Sequence, residues 1–421
     1  MRIAKSLLIS PGQNFWFGIA AVTVSIFVFA YSARFGQISI LAYYALWLPL
    51  VLVNYRQVLG NYAKYWWILG FGLFACLSVF WSAAPGVTAR AGVQYFSHIV
   101  CALIIARTVD IRTLTIGVLG GILLVVVYSL LFGVHHYDPI DGSYSFVGAF
   151  SSKNQLGFYG SLGVYFAFAA LFILRMRGLW RLLALCVGAL STYALFASQS
   201  ATSIIATAVT LAASACIGLV LMLAPQSRKM LFLVATVLLT LGVAGALNAG
   251  AIDLVLGAFG KDATLTGRTY LWSEGLRAVG EAPLVGVGYQ AYWVQGFSEA
   301  ERLWEEFYIP TRSGFHFHNT YIEALVELGY VGLVLITVTM IGVIGGHLKR
   351  LLSERHNEES FLLLGIGLML AVRSFFEVDV MHPYAVGSFL LYYCAGLLAT
   401  RREQNSRTPV LSRLEHRFGE T

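Results

Sequence analysis

The sequence predicts an all-α integral membrane protein of about twelve transmembrane helices with one large loop on its outer face. Three observations carry that prediction. Of the 421 residues, 58% are hydrophobic and only 12% charged, about half the roughly 25% charge of a soluble domain. Mean hydropathy is +0.73. Apolar runs near the ~20-residue length of a helical span recur along the chain, and Lys and Arg concentrate in alternate loops.

The predicted spans lie near 15–32, 37–53, 65–81, 92–106, 113–133, 154–174, 179–197, 202–223, 230–247, 320–346, 360–377 and 384–399. The opening MRIAKSLLIS is too short and too weakly apolar for a cleaved signal, so it reads as a cytoplasmic start. With the N-terminus inside, 19 of the 28 basic residues fall on the inner side, 8 outside, and Arg373 within a span. Both termini are then cytoplasmic. This divides the chain into helices 1–9 over 1–247, an outer loop with short helices over 248–318, helices 10–12 over 319–400, and a cytoplasmic tail over 401–421.

That topology accounts for the net charge of +7. No basic stripe with interleaved aromatics argues for a nucleic-acid partner. The five cysteines fall in predicted spans without a CxxC pair and read as packing residues, not a disulfide or zinc site.

The loop 248–318 has 71 residues, five of them basic and eight acidic. Its length, with Trp272, Trp293 and Trp304, argues for an ordered, functional segment. In TYLWSEGLRAVGEA, Leu271, Trp272, Leu276 and Val279 share one helical face. Just ahead stands Arg268, in KDATLTGRTYLW, with Thr266 or Thr269 as a candidate cap. A helix start offers free N–H groups, and an arginine there adds a bidentate fork for a diphosphate. The plain alternative is a surface pair with Asp262 or Glu274. Lys153, in FSSKNQLG beside Asn154, either snorkels to headgroups or adds a second cation to the same anion site.

The loop closes with GFHFHNTYIEALVELGYVG. His316 and His318 suit proton transfer near neutral pH. They also suit a simple helix entry, with Thr320 and Glu323 as a capping box. A metal site is the weaker third reading, because HxH lacks an acidic or cysteine partner nearby in sequence. Asn319 offers a group to orient an imidazole or a substrate hydroxyl. In RSFFEVDVMHP, Arg373 and Glu377 stand four apart, as in an intramembrane salt bridge, and Glu377, Asp379 and His382 suit a polar cavity. Ser198, Ser200 and Thr202 suit bonds across helices.

Together WSAAP at Trp81–Pro85, VGAFSSKNQLG, SQSAT, LTGRTYLW with PLVGVGYQAYW, and FHFHNTYIEALVELGYVG resemble the O-antigen ligase and polysaccharide polymerase superfamily. The resemblance covers most of the chain and is nearest to the exopolysaccharide polymerases. It implies a GT-C-like multi-span fold in the bacterial inner membrane with a periplasmic active face. It further implies a metal-independent, inverting glycosyltransferase with no cofactor, acting on undecaprenyl-diphosphate-linked oligosaccharide, with a growing glycan or lipid A-core as acceptor. By motif, Arg268 would hold the diphosphate and His318 would be the general base. Lys153, Asn154, His316, Asn319, Tyr289 and Trp272 would contact substrate, the aromatic residues by stacking on sugar rings. Ligases carry an arginine where this chain has Ala201, a departure that favours polymerase over ligase. A transporter, the reading from another class, would place polar sites at mid-bilayer in matched halves, a pattern the sequence lacks.

Overall fold

The computed structural model describes residues 4–137, 144–248, 267–354 and 356–400. Asp262, Thr266 and the predicted tail 401–421 lie outside the described residues. The chain is mostly helical: α1 (Ser6–Ile9), α2 (Phe15–Trp47), α3 (Leu50–Leu59), α4 (Trp66–Leu77), α5 (Pro85–Thr108) and α6 (Ile111–Phe132). A hairpin, β1 (Val134–Tyr137) and β2 (Tyr144–Gly148), precedes α7 (Lys153–Phe168), α8 (Gly178–Ala197), α9 (Ala201–Val220) and α10 (Pro225–Asn248). Then come α11 (Arg268–Val279), α12 (Ser298–Glu306), α13 (Thr320–Ser353), α14 (Glu358–Ser374) and α15 (Val386–Thr400).

Among the described residues, seven helices are long and apolar enough to cross a membrane: α2, α5, α6, α7 with its π turn to Ile173, α8, α9 and α13. Two shorter apolar helices, Trp66–Phe80 and α15, join them. The first two predicted spans fall within α2 and α3. Backbone angles leave the helical region at Tyr31 and at Gly36, whose φ is +63°. Beyond that break α2 folds back on itself: Trp47 Nε1 donates to Ser25 Oγ at 2.9 Å, and the Phe29 and Tyr43 rings lie 5.0 Å apart. Only a reversal at Tyr31–Gly36 brings both pairs together.

The hairpin departs from an all-α reading. Its strands pair antiparallel, His136 opposite Ser145, with an irregularity at Val134/His135. Both strands are short runs containing aromatic and β-branched side chains, a composition that suits strands.

The main core is built by α2 against α6, α7 against α8, and α4 against α5. A second core forms outside it, where Leu271, Tyr292, Leu303, Trp304 and Phe317 bury one another. That core explains why the described part of the large loop is ordered. On α11 the buried face is Leu271, Glu274, Gly275 and Val279, whereas Leu276 is exposed, so the expected face was rotated by about one position.

The motifs PLVGVGYQ and ELGYVG find their physical reason in one contact. At Gly329, φ +63°, the α13 ladder breaks. The broken turn leaves carbonyls and amides without helical partners, and the incoming loop supplies them. Val287 N–H donates to Val326 O at 3.1 Å, Gly288 N–H to Glu327 O at 2.9 Å, and Tyr330 N–H to Pro283 O at 2.8 Å. A Cβ on Gly329 would sit 2.3 Å from the Leu284 backbone. Gly329→Ala therefore combines the strain of a backbone region almost confined to glycine, about 1–3 kcal/mol, with a backbone clash. Its midpoint of thermal unfolding in detergent should fall clearly below the parent's; an equal midpoint would mean that the break is not required.

Candidate active site

Five segments build the site: the α7 start, the α9 start, the α11 start, the turn that precedes α13 and the turn that follows α14. Ser152 caps α7 by accepting from Asn154 N–H at 3.2 Å, which sets Lys153 and Asn154 on its first turn. Ser200 caps α9 and donates to Asn154 Oδ1 at 2.8 Å. Gly157 lets α9 come this close, since a Cβ there would meet Ser203 Oγ at 2.6 Å.

The hub is Glu377, in the turn beyond the end of α14. Its Oε1 accepts from Asn154 Nδ2 at 2.7 Å and from Arg268 Nη2 at 3.0 Å. Its Oε2 lies 3.5 Å from His318 Nδ1. That distance is long for a hydrogen bond, yet Glu377 is the carboxylate that Nδ1 faces. Arg268 Nη1 also reaches Thr202 Oγ1 at 3.4 Å, and two engaged nitrogens leave part of the five-donor fork available.

His318 has φ +51°, a left-handed conformation that is costly for a residue with a Cβ. Several contacts hold it there. Its own N–H donates to His316 Nδ1 at 3.1 Å, Trp272 Nε1 donates to Phe317 O at 2.9 Å, and Phe317 N–H donates to Glu323 Oε2 at 2.8 Å. Asn319, not Thr320, caps α13, accepting from the Tyr321 and Ile322 amides at 2.9 and 3.2 Å. Thr320 instead donates to Glu377 O at 2.7 Å. The expected Thr320–Glu323 capping box is thus corrected, because Glu323 reaches back to Phe317.

Two clefts meet at His318. The first, of about 310 Å³, is lined by Lys153, Asn154, Gln199, Ser200, Arg268 and His318 among others. The second, of about 500 Å³, carries His316, His318, Glu377, Asp379 and His382. The guanidinium and the imidazole therefore open onto one cavity, although 50 residues separate them in sequence.

Three of the expected substrate contacts line neither cleft. Asn319 is occupied in capping and in donating to Phe375 O at 3.2 Å. Tyr289 is fully buried, with its hydroxyl donating to Met381 O. Trp272 spends its N–H on the histidine loop, and its ring packs 6.4 Å from that of Phe376. Each of the three thus joins two segments around the site through a bond to a backbone carbonyl.

The expected Arg373–Glu377 pair is also replaced. Past the end of α14 the chain turns, carrying Glu377 off the helical face of Arg373. Arg373 Nε donates to Asp379 Oδ2 at 2.5 Å, Nη1 donates to Ser203 Oγ at 2.7 Å, and the guanidinium lies over Phe158 at 4.1 Å. Nor does Arg268 pair with Glu274, which is held by Arg302 and Arg277.

Burial alone would push the Glu377 carboxyl up, but its interactions with the His318 imidazole and the Arg268 guanidinium outweigh burial and hold it well below the usual glutamate range. Burial holds His316 well below the ordinary histidine value, and His382 down to about 4. Asp379 is pushed up by burial, against the pull of Arg373. A carboxyl depressed in the folded state binds its proton less readily than in the unfolded chain. The stability it contributes is therefore present above the unfolded value and lost as pH falls through and below it. Between about pH 5 and about pH 3, the parent should lose more thermal stability than Glu377→Gln; parallel losses would remove Glu377 as a folded-state anion.

Glu377 also supplies the acidic neighbour that HxH lacks in sequence: His316, His318 and Glu377 have ligand atoms within 4.8 Å of one another. The donor set nevertheless fits a cation poorly. Nδ1 of His316 already accepts from the backbone, and Arg268 occupies the carboxylate.

Fold and site together define a multi-pass helical membrane protein with a polar site built at one end of the bundle. A family model described as O-antigen ligase matches residues 186–337, a stretch that takes in Arg268 and His318. The exopolysaccharide production protein ExoQ of Rhizobium meliloti (strain 1021) is 60% identical over 410 residues, covering 97% of this chain and 94% of that protein. The chain belongs to the O-antigen ligase family.

Proposed function

We propose that this chain is a membrane glycosyltransferase that polymerises undecaprenyl-diphosphate-linked glycans on the periplasmic face of the bacterial inner membrane. The observation that carries the reading is that Arg268 and His318 line one cleft and both face the carboxylate of Glu377. The similarity to an exopolysaccharide production protein supports polymerisation. The finer architecture belongs to the same proposal: about twelve spans in a GT-C-like arrangement, both termini cytoplasmic, and residues 248–318 as the periplasmic unit.

The chemistry follows from the residues. Lipid diphosphate is a good leaving group, so the protein must hold developing negative charge and activate a sugar hydroxyl. The acceptor oxygen bonds to the anomeric carbon opposite the diphosphate, and the carbon–oxygen bond to that diphosphate breaks with inversion. The hydroxyl proton passes to His318, while Arg268 and Lys153 hold the departing charge. Glu377 orients the imidazole and offsets the charge it gains. No step requires a metal.

The test supplies purified protein with lipid-diphosphate oligosaccharide, with and without lipid A-core. Longer lipid-linked glycan is expected. Transfer to lipid A-core alone would make the chain a ligase, and facilitated movement of the lipid-linked substrate without new bonds would make it a transporter. Product formation should survive a chelator; loss that a divalent cation restores would exchange the histidine base for a metal-bound one.

A further inference from the structure

The two clefts that meet at His318 differ in chemistry. Lys153 and Arg268 line the first, and no carboxylate lines it among the described residues. The second is lined by Glu323, Glu327, Glu377 and Asp379. Its one arginine, Arg373, is engaged by Asp379, Ser203 and the Phe158 ring. An anionic group such as a diphosphate is attracted to the first, while the second offers it no arginine or lysine free of a carboxylate among the described residues. The second cleft therefore suits an uncharged occupant that can hydrogen-bond to its carboxyl groups.

Its other polar groups point the same way. The side-chain nitrogen of Gln290 can only donate, so at 3.1 Å the Nδ1 of His382 is its acceptor. The proton of that imidazole is then on Nε2. Likewise His316 Nδ1 accepts from the backbone, which leaves its Nε2–H as donor. Burial keeps both rings neutral. Neutral N–H donors beside carboxylate acceptors match sugar hydroxyls, which do both. Aromatic walls complete the cleft: Trp293 meets Phe315 edge to face at 5.1 Å, and Phe150 stacks with Tyr159 at 5.2 Å. Gln290 and Tyr384 hold left-handed backbone angles, φ +54° and +57°, a strain that places them toward this cavity at a cost in stability.

We infer that the cleft lined by Gln290, Asp379 and His382 binds the acceptor glycan through an uncharged sugar ring bearing the reacting hydroxyl, while the Lys153–Arg268 cleft takes the donor diphosphate. The assignment rests on the glycosyl-transfer reading for the word acceptor, but not for the binding itself. His382 and Gln290 are specificity-determining residues here; the proton still passes to His318.

The test separates binding from turnover. Oligosaccharide freed from its lipid diphosphate is the probe, and its binding to full-length protein in detergent is followed by saturation-transfer NMR. His382→Phe and Gln290→Leu keep the bulk of the cleft and remove its hydrogen bonds. Each should weaken glycan binding about tenfold and raise the KM for acceptor by a similar factor, with the KM for donor unchanged, which also reports an intact fold. Lys153→Ala should do the reverse. An acceptor oxidised to a carboxylate on its terminal ring should bind at least about tenfold more weakly to the parent. Undiminished glycan binding in both cleft variants, or equal binding of the oxidised glycan, would overturn the assignment. Glycan binding that follows these expectations in a protein without any transfer activity would sink the proposed reaction alone and leave the subsite standing.

Discussion

Replacing His318 by alanine is expected to lower glycosyl transfer by about 10²–10⁴-fold, the usual contribution of a positioned general base. The loss should fall on kcat, because the imidazole acts on the reacting hydroxyl and does not hold the lipid diphosphate. Alanine would also inherit a left-handed backbone angle, φ +51°. His318→Asn is therefore the better probe, since asparagine tolerates that region and still cannot take the proton. Both variants should reach the membrane at parental levels and give little or no product. Asparagine at full rate would remove His318 from the mechanism whatever alanine does.

Glu377→Gln should have the second largest effect, and it should reach stability as well as rate. The carboxylate is 7% exposed and holds Arg268, itself 15% exposed, at 3.0 Å. Breaking one partner of a buried ion pair costs about 3–5 kcal/mol. The lower end applies here, because the freed guanidinium can turn toward water in the first cleft. Thermal unfolding should report that loss. The double variant with Arg268→Gln should cost less than the sum of the singles, since a coupled pair is lost only once. Strict additivity, or a parental midpoint and rate in Glu377→Gln, would refute the hub.

Several of these residues were legible before any coordinates. Arg268, His318, Lys153 and Asn154 each stood at a helix start within a polar motif, and all four line the first cleft. Glu377 was visible only as one of several ionisable groups in RSFFEVDVMHP. Four-residue spacing paired it with Arg373, and the end of α14 at Ser374 is what dissolved that pairing. Tyr289, Trp272 and Asn319 stand apart from that group. Their side chains fit a sugar site by type, while in the structure each donates to a backbone carbonyl outside the two clefts.

The sequence by itself determined that the chain is helical and lives in a bilayer, because apolar length and charge asymmetry are one-dimensional properties. It also determined which polar residue types stand at the helix starts, an arginine, a lysine and a histidine among them. Only the tertiary structure decided which carboxylate joins the arginine to the histidine. It alone divided the polar space into a cationic cleft and an acidic one, and fitted a loop into the broken turn at Gly329. Those outcomes depend on where segments far apart in the chain come to lie, and on which buried charges must find partners there.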